Sequence, residues 1–263
     1  MVTTRVSTSA GTDGLVLMLR ALKLPGFIEN HEIFAQQAEH DGWSCTEYLY
    51  RLVEHELGSR TQRRTERNRK LSGLPMDKTL ETLDSKRVPA KVRRQLPGLC
   101  DGSFAKRAEN VLAFGLPGRG KTHLLCAIGH ELIDRGYRVL FTPAYMLVQQ
   151  LLAAKRDLAL KEELRRLDSF DAVILDDIGY VQQNRDEMEV LFTFLGQRYE
   201  RRSVMITSNL VFSEWDRIFK DPMTTAAAID RVVHHSIILE LDGPSIRKEE
   251  AQTRNNPGKQ KKG

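Results

Sequence analysis

The segment AFGLPGRGKTHLLCAIG, from Ala113 to Gly129, decides how this chain folds. Its central part, GLPGRGKT, matches the pattern G-x-x-x-x-G-K-[ST]. Glycines let the backbone curl so that successive N–H groups point inward around a phosphate, and the following helix adds its positive N-terminal end. The same letters also fit an ordinary glycine-rich turn, so the flanking sequence must distinguish the two.

The flanks of this segment predict a strand and a helix in the required order. NVLAFG (110–115) is an apolar run typical of a buried strand, and HLLCAIGHELIDRG (123–136) predicts a helix that ends at a glycine. We therefore interpret the loop as an ATP site. Lys121 is expected to reach the β- and γ-phosphates, and Thr122 to bind Mg²⁺. The predicted nucleotide contacts are Gly115, Gly118, Arg119, Gly120, Lys121, Thr122 and His123.

Strands and helices alternate along the rest of the chain. Strands are predicted at residues 137–142, 171–177, 203–209 and 236–241, and helices at residues 143–167, 185–202, 213–220 and 224–235. Such alternation implies an α/β fold with a mainly parallel sheet and helices on both faces.

Two acids end the predicted strand DAVILDD (171–177), about 55 residues after Lys121. Because strand ends meet at the carboxyl edge of a parallel sheet, these acids are expected beside the loop. Asp176 would hold Mg²⁺, and Asp177 would orient or deprotonate the attacking water. In isolation, two aspartates after a core strand also fit a simple turn.

Two further residues complete the predicted catalytic set. Asn209 ends the next strand and is our first choice for a side chain that senses the γ-phosphate, with Thr207 as the runner-up; a helix cap is the competing role for Asn209. Arg231 lies on a later predicted helix. Its guanidinium suits the charge on a phosphoryl group in transfer and can come from a neighbouring subunit, although a lone arginine is more often a surface residue.

The first third of the chain predicts a small all-helical domain. The motif SCTE (44–47) is a capping box that opens a third helix, and that helix runs into RTQRRTERNRK (60–70). We divide the chain into a helical domain with a basic arm (1–72), a linker with leading helices (73–108), the ATPase domain (109–248) and a basic disordered tail (249–263).

Basic residues are concentrated in two internal clusters, although the net charge is only +5. Residues 60–70 carry six basic residues and one acid, and residues 86–107 carry seven and one. Such clusters suit a polyanion, because each neutralised phosphate releases counterions; a solvated helix face is the alternative. The predicted DNA contacts are Arg60, Arg63, Arg64, Arg67, Arg69 and Lys70.

Cysteine usage and hydropathy indicate a cytoplasmic protein without membrane contact. The three cysteines are far apart and odd in number, which favours reduced thiols. No apolar run approaches a membrane span, and the first residues lack an apolar signal core.

The motifs together resemble the IstB-like helper ATPases of insertion sequences, relatives of the DnaC helicase loaders within the AAA+ class. The resemblance covers residues 15–247 and rests on the motifs GRGKTHL, VILDDIGY, QRYERRSVMITSN, FSEWDRIFKD, AIDRVVHHS and LDGPSIR. It implies a homo-oligomeric ATPase on double-stranded DNA, a partner transposase of the IstA type, and a trans role for Arg231. The sequence departs from the pattern at Asp177, where many AAA+ proteins carry glutamate.

Two alternative functions share the same ATPase core. A DnaC-like loader would bind a replicative helicase through the N-terminal domain. A nucleotide-gated DNA scaffold would hydrolyse little ATP, because Asp177 is one methylene shorter than glutamate. We also predict that His234 and His235 pack against the protein or cap the helix and do not bind metal, since adjacent positions on a helix diverge.

Overall fold

The computed structural model describes residues 8–180, 185–215 and 222–242. The chain divides into two compact units, Met1–Glu66 and Arg67–Gly263. Within the described ranges no helix is both long and apolar enough to cross a membrane. The predicted basic tail (249–263) and most of the helix predicted at 213–220 lie outside the described residues.

The first unit is helical, as the sequence predicts. Its elements are α1 (Thr8–Ala21), α2 (Pro25–Asp41) and α3 (Cys45–Ser72), the last of which continues into the second unit. The Ser44 hydroxyl accepts a hydrogen bond from the Glu47 N–H at 3.2 Å, which is one half of the predicted capping box, while the Glu47 carboxylate accepts from the Arg51 Nε at 2.7 Å. The predicted basic arm is the second half of α3, a single helix of 28 residues.

A buried carboxylate joins α2 to α3 inside the first unit. Glu56 is only 3% exposed and accepts hydrogen bonds of 2.6 Å from the Gly26 N–H and from the Arg60 guanidinium. Burial raises the pKa of the Glu56 carboxyl, but these two hydrogen bonds and the Arg60 charge hold it below its ordinary value overall. Gly26 has no room for a side chain, because a Cβ there would lie 2.7 Å from the Glu56 Oε2.

The second unit is a five-stranded sheet between two layers of helices. Its elements in chain order are α4 (Ala90–Cys100), α5 (Ser103–Lys106), β1 (Asn110–Phe114), α6 (Lys121–Asp134), β2 (Val139–Pro143), α7 (Ala144–Arg156), α8 (Leu160–Asp168), β3 (Ala172–Asp176), α9 (Arg185–Arg198), β4 (Ser203–Ser208), α10 (Pro222–Val233) and β5 (Ser236–Glu240). All strand pairs are parallel, in the order β2-β3-β4-β1-β5. The predicted α/β fold is confirmed.

Side chains that alternate along the strands fill a separate core on each face of the sheet. On β1, Val111 and Ala113 pack with α4, α5 and α6, whereas Leu112 and Phe114 pack with α7 to α10. Because both faces are covered, the middle of each strand is apolar, which explains the continuous hydrophobic runs in the sequence.

The prediction of one helix over residues 143–167 is wrong, because the structure has two helices there, α7 and α8. Leu158, at the break, has a left-handed backbone (φ 58°) and is 93% exposed. The turn returns Leu164 and Leu167 to the same core that α7 covers. One straight helix of 25 residues would extend about 37 Å and carry those leucines past the sheet.

A buried arginine, Arg198, ties three elements of the second unit together. Its guanidinium donates to the carbonyls of Leu167, Phe170 and Ser203 at 2.9 to 3.0 Å and is 1% exposed. Burial lowers its pKa to about 10, so the side chain remains charged at neutral pH. Part of the motif QRYERRS is therefore structural.

Candidate nucleotide site

The loop from Gly115 to Thr122, the phosphate loop, follows β1 at the carboxyl edge of the sheet. Gly115, Gly118 and Gly120 have φ values of 152°, 80° and 82°, which favour glycine. Gly115 is further restricted because a Cβ there would lie 2.5 Å from the Leu241 carbonyl oxygen. The chain can therefore curl back only if this position has no side chain.

Lys121 begins α6 and turns back into the phosphate loop. Its side chain is buried, and the Nζ donates to the carbonyl oxygens of Gly115 and Leu116 at 2.8 and 3.2 Å. The ammonium thus lies within the curve of the loop, beside the N-terminus of α6. Both features place positive charge where a phosphate group would bind.

Thr122 and Asp176 meet, as the sequence predicts for a magnesium site. The Thr122 hydroxyl donates to the Asp176 Oδ1 at 2.7 Å, and the Thr207 hydroxyl donates to the same oxygen at 2.8 Å. Hydroxyl and carboxylate oxygens are the ligands that Mg²⁺ prefers, so the donor set fits this ion. Thr207 is fully buried and connects β4 to the end of β3.

Asp177 follows directly and has a left-handed backbone, with φ 56°. Its N–H donates to the Thr207 hydroxyl at 2.7 Å, so one threonine contacts both acids. Aspartate and asparagine tolerate this backbone conformation better than most residues, because their short polar side chains can hydrogen-bond locally. This gives a local reason for aspartate at a position where many AAA+ proteins carry glutamate.

Asn209 and Thr207 occupy different places, although both were candidates for the same role. Asn209 lies against the turn after β3, where a Cβ on Gly179 would be 2.5 Å from its Oδ1. That Oδ1 is buried without a hydrogen-bond partner among the described residues. Thr207 instead contacts the two acids. The structure places both residues at the same sheet edge, and Asn209 keeps an unpaired acceptor there.

A cavity of about 250 Å³ adjoins the phosphate loop, and no pattern in the sequence predicted it. It is lined by Thr82, Leu83, Asp84, Arg87, Val88, Arg119, Gly120, His123 and Leu241. His123 holds the predicted linker against it, since its Nε2 donates to the Thr79 carbonyl at 3.0 Å and lies 3.1 Å from the Thr82 hydroxyl. The Arg119 Nε is buried without a hydrogen-bond partner among the described residues. No motif in residues 82–88 marks this lining.

Arg231 lies at the opposite edge of the sheet from the phosphate loop. It is near the end of α10, and the Val232 carbonyl accepts a hydrogen bond at 3.0 Å from Asn110, the first residue of β1. The phosphate loop follows the last residue of β1. A five-residue strand spans about 16 Å, so Arg231 and the loop of one subunit are separated by the length of the sheet.

The positions of His234 and His235 contradict the argument that these residues diverge as neighbours on a helix. Both residues follow the end of α10, so they do not diverge as helix positions do, and their ring centroids are 4.1 Å apart. Their ring nitrogens and a Glu200 carboxylate oxygen all lie within 4.8 Å of one another on the exposed surface. The His234 Nδ1 is 3.1 Å from the Tyr199 hydroxyl, which fits the predicted packing role.

The six predicted DNA contacts on α3 fall into two groups. Arg60 is bound to Glu56, Arg63 lies 3.8 Å from Glu29, and Arg69 pairs with Asp134. The other three are exposed and have no ion pair in the described part of the chain: Arg64, Arg67 and Lys70.

The fold and the site together define a P-loop ATP-binding protein of the AAA+ class. A family model described as IstB-like ATP binding protein matches residues 17–254, and the chain belongs to this family. It is 44% identical over 238 residues to an insertion sequence ATP-binding protein of Sinorhizobium fredii, covering 90% of this chain and 80% of that protein. It is 38% identical over 239 residues to the IS21 ATP-binding protein of Pseudomonas aeruginosa, covering 90% and 89%.

Structural similarity agrees with this class. The replication initiator DnaA, solved with AMPPCP and single-stranded DNA, superposes with a TM-score of 0.56 at 19% identity, covering 73% of this chain and 59% of that chain. At this identity the likeness shows the fold alone.

Proposed function

We propose that this protein is an ATPase that assembles on double-stranded DNA and recruits or stimulates a transposase. The observation that carries the proposal is the hydrogen-bonded set of Thr122, Asp176 and Thr207 beside a phosphate loop with a buried lysine. This arrangement favours hydrolysis over simple nucleotide binding, because it sets Asp177 next to the metal ligands.

Each side chain of the site has a distinct task in this proposal. Lys121 and the loop N–H groups bind the phosphates of ATP, while Thr122 and Asp176 hold Mg²⁺, which neutralises phosphate charge. Asp177 orients the attacking water and accepts its proton. The cavity of about 250 Å³ beside Arg119 and His123 adjoins the phosphate loop and is the place where we expect the nucleoside.

The position of Arg231 supports assembly. Because Arg231 lies at the opposite edge of the sheet from its own phosphate loop, we assign it to the ATP site of another subunit. ATP bound between two subunits would then favour their association. Hydrolysis would remove the charge that Arg231 recognises and release the assembly.

DNA contact is assigned to two helices with exposed cations. On α3, Arg64, Arg67 and Lys70 are spaced three residues apart, which puts them close together on the helix surface. They lack ion-pair partners in the described chain, so a DNA phosphate would not have to displace an acid.

The second helix is α4, whose cations are unfavourably placed for the helix itself. Lys91, Arg93 and Arg94 are exposed in its first half, and its first turn contains no acid. The positive end of a helix disfavours cations by about 0.3–1 kcal/mol each at low salt. An external polyanion would remove that cost, which supports DNA as the partner of this surface.

The test is the size of the complexes that the full chain forms on duplex DNA with ATP, with ADP and without nucleotide. We expect large complexes with ATP only, and none above background for Lys121→Ala, because the loop loses its phosphate-binding cation. Analytical ultracentrifugation gives the sizes. Complexes of parental size from Lys121→Ala would refute the ATP-dependent assembly.

Two accompanying measurements separate the alternatives. Steady-state ATP hydrolysis with and without DNA distinguishes an ATPase from a nucleotide-gated scaffold. Co-purification with the transposase encoded beside this protein, compared with a replicative helicase, distinguishes the transposition role from helicase loading.

A further inference from the structure

Two motifs that mark the family, QRYERRS and AIDRVVHHS, meet on the surface of the second unit. Arg231 of α10 lies across α9, with its guanidinium carbon 4.2 Å from the centre of the Phe192 ring. Three residues further on, His234 contacts the Tyr199 hydroxyl at 3.1 Å. The end of α10 is thus fixed on α9 at two points.

Arg231 has no acid within ion-pair distance among the described residues, unlike Arg198 and Arg202. Arg202, for comparison, pairs with Asp171 at 2.7 Å. Arg231 is half-buried and stacked on an aromatic face instead. Stacking fixes the plane of the guanidinium without using its N–H donors.

Gly196 on α9 gives the second observation. It lies near the end of the helix but has no left-handed backbone, so its conformation does not require glycine. Glycine in a helix interior is less stable than alanine. A Cβ at this position would, however, lie 2.8 Å from the Arg231 Nη1. The missing side chain makes room for the guanidinium.

We propose that Phe192 and Gly196 form a cradle on α9 that positions Arg231 to act on ATP bound by a neighbouring subunit. The inference rests on the trans role of Arg231 given above and identifies the two residues that set its orientation. Phe192 supports one face of the guanidinium, and Gly196 admits its Nη1. The edge that carries the remaining N–H donors stays available to a phosphate oxygen.

The first test is Gly196→Ala, with DNA-stimulated ATP hydrolysis as the readout. Alanine favours the helix but displaces the guanidinium, so we expect folding to be retained and kcat to fall at least about tenfold, since arginine fingers contribute about 10³–10⁵-fold. Thr193→Ala on the same helix is the matched control, because the Thr193 hydroxyl donates only to the Glu189 carbonyl. Phe192→Tyr should keep the activity, and Phe192→Leu should lose part of it.

Mixed assemblies distinguish a positioning role from a merely structural one. Gly196→Ala subunits keep Asp177 and should regain hydrolysis when mixed with Asp177→Asn subunits, which supply an intact Arg231. Gly196→Ala should also have no further effect in an Arg231→Ala background. Parental kcat for Gly196→Ala, or additive losses in the double variant, would overturn the cradle.

Failure of the cradle and failure of the trans role give different results. If Arg231→Ala alone leaves kcat unchanged, the trans role is refuted and the cradle proposal falls with it. If Arg231→Ala abolishes hydrolysis while Gly196→Ala and Phe192→Leu do not, the trans role stands and only the cradle is refuted.

Discussion

The phosphate loop and the basic half of α3 are both short segments with a strong sequence pattern. They differ in how well that pattern predicts the contacts that their residues make. In the loop, Lys121 and Thr122 lie where the motif predicts. In α3, the six basic residues of residues 60–70 fall into two groups, one paired with acids and one exposed. Arg60 and Arg69 are held by acids, whereas Arg64 and Arg67 are exposed without such partners in the described chain.

Part of the difference arises from the range of the contacts. The Lys121 Nζ binds carbonyls five and six residues away, so the curve of the loop is a local feature. On α3, Arg60 pairs with Glu56 four residues earlier on the same helix, but Arg69 pairs with Asp134, 65 residues away. The spacing of the α3 arginines therefore indicates that they lie on the helix surface, but it does not indicate which of them are paired with acids.

The largest expected effect tests the nucleotide side of this comparison. Asp177→Asn should lower kcat for ATP hydrolysis by about 10²–10⁴-fold, because the water loses its proton acceptor. ATP affinity should remain close to that of the parent, since Thr122 and Asp176 are unchanged. Steady-state kinetics and a nucleotide-binding titration measure the two quantities.

Asparagine is the right replacement because it also tolerates the left-handed backbone at this position. Asp177→Ala would disturb the turn as well as the chemistry and so could not separate them. Hydrolysis at the parental rate in Asp177→Asn would remove this residue from the catalytic set.

An effect of intermediate size is expected on DNA binding by the basic half of α3. The double variant Arg64→Ala/Arg67→Ala should bind duplex DNA more weakly, and the slope of log K against log salt should shrink by about 1.8, since each lost phosphate contact removes about 0.9. Fluorescence anisotropy across a salt series gives the slope.

The matched control for this variant is Arg51→Ala/Arg69→Ala, which loses the same charge from the same helix and leaves the buried Glu56 paired. Its slope should stay near that of the parent, because both arginines already pair with acids. Equal slopes for the two double variants would mean that the division within α3 has no bearing on DNA binding.

The smallest expected effect concerns the stability of the first unit, in which Arg60 pairs with the buried Glu56. Glu56→Gln should destabilise the contact between α2 and α3 by about 1–3 kcal/mol, because Gly26 and Arg60 lose a charged acceptor. Amide exchange of the Gly26 N–H in the full chain should accelerate accordingly. Glu47→Gln, which alters only the exposed pair with Arg51, should have almost no effect.

The same contact predicts a pH dependence with a definite sign. Because the pKa of Glu56 is lowered in the folded state, its stabilisation is complete above the unfolded value of about 4.3 and is lost as the pH falls through the folded value. The difference between the parent and Glu56→Gln should therefore shrink in acid. A difference that grew in acid would contradict the lowered pKa.

The parallel α/β fold, the phosphate loop and the acids after β3 could all be inferred from the order of the residues. These features depend on periodicity and on spacing within one loop or one strand end, which the chain order specifies directly. The motif around Arg231 singles that residue out as well, and its role in a neighbouring site stays a prediction.

The folded structure was needed to show which of several similar residues makes a given contact. It divided residues 143–167 into two helices, brought residues 82–88 to the cavity beside the loop, and chose Thr207 as the residue that contacts both acids. It also placed Arg231 in a notch at Gly196. Such contacts join residues far apart in the chain, and the geometry that selects them exists only once the sheet and its two helix layers have packed together.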